Sequence, residues 1–348
     1  MKLPNETTSD SSLTLADSGI KRIMITGGCG FIGHHFVESV LKCTDWEIII
    51  IDKLSYASNG LERLRDNGSA TNKRVRIFTF DLCNSVTDGM RREFGTNIHY
   101  IVHMAADTHV DNSISDPVPF IQNNVMSTVH LLEYSRTLTS LEKFFYFSTD
   151  EVFGAAPGDV SFKEWDRHKP TNPYSASKSA AENICIAYEN TYKVPVVIVN
   201  VMNAFGERQH VEKFIPKCIQ YILQGKRIDI HTDETCEIPG SRFYIHARNI
   251  ASAVLFLINN GVVGEKYNVV GEKEVNNLEM AEFVAKVLQK DLKYNLVNYH
   301  ANRPGHDQRY ALDGTKLQNM GWKLPLNFED SLEKTILWTL ENAVWLNE

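Results

Sequence analysis

From residue 21 onward, short apolar runs alternate with stretches of helical spacing. Arg22–Thr26 is apolar and stops at glycines, Phe36–Leu41 has helical spacing, and Glu47–Ile51 is a β-branched run ending at Asp52. Val75–Phe80 alternates and ends at Asp81, Tyr100–Met104 runs into Ala105-Ala106, and Phe144–Ser148 ends at Thr149. Pro119–Leu138 and Ser175–Tyr192 read as long helices, and Val194–Asn200 as a further strand. Apolar strands separated by helices predict a parallel sheet covered on both faces. In such sheets ligands bind beyond the carboxyl ends of the strands, where Asp52, Asp81, Ala105 and Thr149 all fall.

Past about residue 203 the rhythm changes to mixed helices and short strands broken by Gly and Pro. The expected fold is therefore α/β: a Rossmann-type doubly wound parallel sheet over residues 21–202, then a smaller C-terminal α/β substrate domain over 203–348. Residues 241–261 are expected to return to the first domain, and the Ser/Thr/Asp-rich residues 1–20 to form a disordered tail. Ala251–Ile258, the longest greasy stretch, fits a buried helix and is too short for a membrane span. The net charge of −7 offers no global basic field for nucleic acid. An anionic ligand would need a local cationic pocket. The six cysteines show no C-x-x-C spacing and read as reduced core residues of a cytoplasmic protein, with no metal site.

Thr26-Gly27-Gly28-Cys29-Gly30-Phe31-Ile32-Gly33 follows a strand and opens a helix. Gly27, Gly30 and Gly33 at this spacing allow a tight turn and let backbone N–H groups reach a pyrophosphate at a helix N-terminus. Phe31 and Ile32 complete that turn. Asp52 closes the second strand about twenty residues on, placed for the ribose hydroxyls, and its charge would repel a 2′-phosphate, which favours NAD over NADP. Asp81-Leu82 reads either as an adenine contact or as a helix cap. The small Ala105 and Ala106 would let a dinucleotide pass closely. Asn124, in the following helix, either supports the site or is structural.

Tyr174 and Lys178, at i and i+4, share one helix face. An ammonium beside a phenol favours the phenolate, so Tyr174 is the expected base for an alcohol proton, and Lys178 can also bond the nicotinamide ribose. With the glycine turn, these residues make the chain resemble the extended short-chain dehydrogenase/reductases over about residues 21–345. The resemblance implies bound NAD and a sugar held through its nucleotide diphosphate. Ser148-Thr149-Asp150-Glu151-Val152-Phe153-Gly154 is similar to the S-T-D-E-V-Y-G run of dTDP-glucose 4,6-dehydratases. Members that only epimerise or decarboxylate usually lack the adjacent Asp-Glu pair. Dehydration needs an acid for the leaving C6 hydroxyl and a base for the C5 proton. The implied cycle oxidises C4 with Tyr174 as base and Thr149 orienting the oxygen. Glu151 then takes the C5 proton, Asp150 protonates the departing oxygen, and hydride returns to C6.

Further segments are similar to the same pattern: His103–Asp111, Asn200–Gly206, Glu212–Pro216, Tyr267–Gly271 and Asn302–Tyr310. Carried over by position, His109, Asn203, Lys213, Phe214, Asn268, Arg303 and His306 are expected to contact the nucleotide diphosphate or the sugar. Two departures leave the nucleotide open between dTDP, UDP and a rarer one. Arg242 stands as a shifted candidate for the usual phosphate-binding arginine. His231, in an acidic segment, reads equally as a base-stacking residue or a plain strand position. The resemblance also implies a homodimer through a four-helix bundle of Phe120–Leu138 and Ser175–Tyr192, against burial of those faces within one subunit. The expected activity is an NDP-glucose 4,6-dehydratase. The alternatives are a nucleotide-sugar 4-epimerase or decarboxylase and, from another class, a catalytically silent NAD-binding sensor or scaffold.

Overall fold

The computed structural model describes residues 19–298 and 308–347. Seven parallel strands form the central sheet in the order β10-β6-β5-β4-β1-β2-β3. Six match the apolar runs: β1 (Arg22–Thr26), β2 (Glu47–Asp52), β3 (Val75–Thr79), β4 (Tyr100–His103), β5 (Lys143–Thr149) and β6 (Val196–Val201). The order reverses between β1 and β4, and this is where a doubly wound sheet opens a crevice. Ile23, Met24 and Ile25 on β1 are fully buried, each contributing roughly 1.5–3 kcal/mol.

The seventh strand, β10 (Lys266–Val269), comes from far beyond the alternating region. Four residues with Lys and Asn among them carry no apolar signature. The structure satisfies those polar groups instead: Lys266 pairs with Glu182, and Asn268 accepts from Asn200.

On one face of the sheet α1 (Phe31–Cys43) packs against α9 (Ala247–Asn260), burying Phe36, Val37, Val40, Val254 and Leu257 in one core. The opposite face carries α7 (Pro173–Tyr192) and the stretch 117–135. That stretch is not the single α-helix its apolar spacing predicts. It runs as α5 (Pro117–Ile121), a π turn (Gln122–Met126) and α6 (Ser127–Ser135). The inserted turn buries Asn123 and Asn124, whose side-chain amides bond groups outside the helix. A third core lies under α8 (Phe214–Leu223), α10 (Asn277–Leu288) and the helix Phe328–Glu341. It is edged by two small sheets: β7 (Asn203–Phe205) with β9 (Ser241–His246) and β11 (Glu274–Asn276), and β8 (Ile228–Thr232) with β12 (Tyr294–Asn298).

Three of the cysteines, Cys29, Cys185 and Cys218, are core residues as expected. Cys43, the last residue of α1, is exposed, and Cys83 and Cys236 are half-buried, because these three sit at element ends and turns. Among the described residues no helix is long and apolar enough to cross a membrane.

Candidate active site

A cleft of about 370 Å³ opens at the carboxyl ends of β1, β2, β4, β5 and β6, and it is bounded on the far side by β7, the start of α8 and Tyr244 of β9. Its floor is the glycine turn. Gly27 has φ +70, and a Cβ there would stand 2.8 Å from the Ala105 amide nitrogen. A Cβ on Gly33 would stand 2.1 Å from the Gly27 carbonyl oxygen. Side chains at these two positions would collide with the chain's own backbone, so the glycines let the turn close tightly against β4 and the start of α1. Phe31 and Ile32 line the same floor at the first turn of α1.

Asp52 is buried at the end of β2. It accepts from the backbone N–H of Cys29 at 3.0 Å and of Leu54 at 2.9 Å. Burial pushes its carboxyl up, against the pull of those two N–H groups. Asp81, Leu82, Ala105 and Ala106 line the cleft beside it. Asn124 does not line the cleft. Its amide spans the Asp107 backbone (2.8 Å from N–H, 3.0 Å to carbonyl) and Ser177 Oγ (2.9 Å), tying the β4 loop to α7. Lys53 was absent from the sequence-based set. It lines the cleft, donates to Asn123 Oδ1 at 2.9 Å and pairs with Asp107 at 3.2 Å. Its position just after the strand-end aspartate was the available signal.

Tyr174 is placed by the start of α7. Asn172 accepts from the Ser175 N–H at 2.9 Å, the Ser175 hydroxyl accepts from the Asn172 N–H at 3.2 Å, and Pro173 holds the first helical position. Opposite, β5 ends in Thr149, whose hydroxyl donates to Asp150 Oδ1 at 2.9 Å, accepts from the Glu151 N–H at 3.4 Å and shares a hydrogen bond with Tyr174. A tight turn, Asp150–Phe153, then ends at Gly154, which has φ +77. Thr149, Asp150, Glu151, Tyr174 and Lys178 all line the one cleft.

Burial pushes the Asp150 carboxyl up to about 6, and its Oδ2 is buried without a hydrogen-bond partner. Glu151 accepts from the Asn172 amide at 3.4 Å. Burial lowers Lys178 to about 8. The expected lowering of the Tyr174 phenol by Lys178 is not what this geometry gives. Burial and then the Glu151 and Asp150 carboxylates hold Tyr174 far above its usual range, while the Lys178 ammonium lies 4.4 Å over the Tyr146 ring.

On the far side, Asn203, Lys213 and Phe214 line the cleft. So do His210, Glu212 and Tyr244, which sequence reasoning left out although Glu212 adjoins Lys213. His109 caps the helix Val110–Ser115 and lies 3.6 Å from Glu212, at the edge of the cleft rather than in its lining. Asn268 is fully buried away from the cleft, its amide engaged by Asn200 and by the carbonyls of Phe162 and Asp313. Arg242 does not line the cleft either. Its guanidinium donates to the carbonyls of Ser241 (2.6 Å) and Gln308 (2.7 Å), lies 4.4 Å over the Tyr310 ring and acts on Asp150 from behind. His231 is an inner position of β8, paired with Val297 of β12, outside the lining. Arg303 and His306 lie outside the described residues.

A doubly wound sheet with a glycine turn, a strand-end aspartate and a Tyr-Lys helix defines an NAD-dependent extended short-chain dehydrogenase/reductase. The sequence profile described as GDP-mannose 4,6 dehydratase matches residues 24–335, and the chain belongs to that family. The chain is 35% identical to dTDP-glucose 4,6-dehydratase of Neisseria gonorrhoeae, covering 93% of this chain and 97% of that one. It is 36% identical to a trifunctional UDP-glucose 4,6-dehydratase/3,5-epimerase/reductase of Arabidopsis thaliana, of which it spans about half the length (48%). Among solved structures, the dTDP-glucose 4,6-dehydratase DesIV of Streptomyces venezuelae with NAD bound superimposes with a TM-score of 0.82 at 30% identity, covering 93% of this chain and 98% of that one. The UDP-glucose 4-epimerase of Thermus thermophilus with NAD gives 0.79 at 27% identity, covering 90% and 97%.

Proposed function

We propose that the protein is an NDP-glucose 4,6-dehydratase that converts dTDP- or UDP-glucose to the 4-keto-6-deoxy sugar nucleotide and water. The observation that carries this is the meeting of Asp150 and Glu151 with Tyr174 and Lys178 in one cleft. An epimerase needs only the second pair.

The glycine turn, Asp52 and the Ala105–Ala106 wall fit a dinucleotide: only glycines close the turn this tightly against β4 and α1, and the buried carboxylate and small alanines line the cleft beside it. NAD, when bound there, would supply reversible hydride acceptance and a positive charge. Tyr174 faces two carboxylates, so it gives up its proton and takes one from the C4 hydroxyl only when cations offset them. Lys178, mostly protonated at neutral pH, sits over the Tyr146 ring and is assigned to the nicotinamide ribose rather than to the phenol. Thr149 orients the C4 oxygen through the hydroxyl that is hydrogen-bonded to Tyr174. Glu151 takes the C5 proton made acidic by the C4 ketone. Asp150, titrating near 6, gives a proton to the departing C6 oxygen and recovers one each cycle. Lys213 and Asn203 are the groups placed to hold the diphosphate and the sugar.

The same reading includes a homodimer. α5 and α7 pack side by side and leave Val118, Ile121 and Met126 exposed on the 117–126 stretch, a face suited to a second copy. Light scattering at micromolar concentration tests this, with a monomer mass as the contrary result.

The activity is tested by incubating the purified chain with dTDP-, UDP-, CDP- and GDP-hexoses and identifying products by NMR. A 4-keto-6-deoxy product from dTDP- or UDP-glucose, without net NADH, supports the proposal. An unchanged hexose or its C4 epimer refutes it.

A further inference from the structure

Glu182 lies two turns beyond Tyr174 and one turn beyond Lys178 on α7, so the three share one helix face. Its side chain is completely buried. A lone buried carboxylate is costly, and here it is met on three sides. The Ser148 hydroxyl donates to Oε2 at 2.5 Å, the Lys266 ammonium of β10 lies 2.5 Å from Oε1, and His168 Nε2 lies 3.3 Å away. Ser148 is the residue before Thr149. His168 stands in the loop that leads into α7, and its Nδ1 is 2.9 Å from Ser179 Oγ. The one carboxylate therefore joins the end of β5, the loop before α7, and β10.

We propose that Glu182 is a positioning residue: its buried carboxylate, one turn from Lys178 on the same helix face, supplies the negative charge nearest the Lys178 ammonium on α7, while its hydrogen bond to Ser148 holds the Thr149–Glu151 turn against α7. This rests on Tyr174 and Lys178 serving the reaction.

The groups facing Lys178 from each packed element are few. On α7 they are Tyr174, Glu182 and Cys185. From β5 comes the Tyr146 ring, and from β4 His103, which burial lowers to about 3 and so keeps neutral. Burial drives Lys178 down, and Cys185 and Glu182 oppose that. Cys185 is a fully buried thiol, held well above its usual range, and carries no charge at neutral pH. Glu182 does carry one: burial pushes its carboxyl up, but His168 and Lys266 more than reverse this.

The test is a ¹³C-lysine NMR titration of the purified full chain, with the Lys178 signal assigned by its loss in Lys178→Arg. Glu182→Gln keeps the size of the side chain and can still bond Ser148. It is expected to lower the Lys178 midpoint by about one pH unit. Glu182→Asp keeps the charge and is expected to leave the midpoint within a few tenths of a unit of the parent. The high-pH limb of kcat should follow the midpoint in both variants. An unmoved midpoint in folded Glu182→Gln, or an equal fall in Glu182→Asp, would overturn the proposal. The titration reads Lys178 whatever the product is. A fall in Glu182→Gln alone, without any dehydration, would keep the role of Glu182 and reject the activity proposed above.

Discussion

The two sides of the cleft are built differently. The cofactor side is made mostly of backbone: a glycine turn, strand ends and small residues that leave space. The side proposed for the substrate is made of side chains delivered by β7, α8 and β9, elements that meet only through pairings between distant segments. A site made of empty space is broken by adding atoms. A site made of side chains is broken by removing them.

The largest effect is expected on the backbone side. Gly33→Val would drive side-chain atoms into the Gly27 carbonyl, which cannot yield without losing the turn. NAD binding, followed by fluorescence titration, should weaken by roughly 100-fold or more, a loss of about 3 kcal/mol. Retained binding would show that the turn is not the cradle.

Next comes Glu151→Gln, expected to lower kcat by about 10² with little change in melting temperature. Stopped-flow absorbance at 340 nm should still show transient reduction of bound NAD. Product formation at the normal rate would remove Glu151 from the C5 step.

Smaller effects separate the two kinds of substrate-side residue. Lys213→Met should raise KM about tenfold at unchanged melting temperature. Asn268→Ala should do the reverse, costing about 1–3 kcal/mol of stability with KM unchanged, because its amide satisfies buried partners rather than ligand. Exchanged outcomes would redraw the boundary of the site.

For Asp150→Asn the informative readout is stability rather than turnover. The folded carboxyl titrates at about 6, above the ordinary value of 3.8, so its ionised form weakens the folded state. Stability linked to this group is complete below about pH 3.8 and is lost as pH rises through 6. The variant should therefore be more stable than the parent at pH 8, by up to about 3 kcal/mol, with the gain gone near pH 4. Urea melts at the two pH values decide it.

This contrast also explains what the sequence made legible. Local rules fix the cofactor side: φ above zero at Gly27, an aspartate closing an apolar strand, and the Asn172–Pro173–Ser175 start that aims Tyr174. Those features could be read one segment at a time. Asn268 could not, because β10 owes its place to buried polar partners on β6 and α7. Arg242 and Tyr244 alternate on the same strand, yet only Tyr244 reaches the cleft, since Arg242 is drawn to the Ser241 and Gln308 carbonyls. The electrostatics of Tyr174 were equally hidden. The sequence placed Lys178 one turn away, but which ring lies under the ammonium and which carboxylates face the phenol are decided by packing.

The most direct measurement uses UDP- or dTDP-glucose carrying deuterium at C4. If Asp150 and Glu151 divide acid and base work beside Tyr174, the product is a 4-keto-6-deoxy sugar with deuterium at C6. Deuterium still on C4 of a hexose would contradict the account.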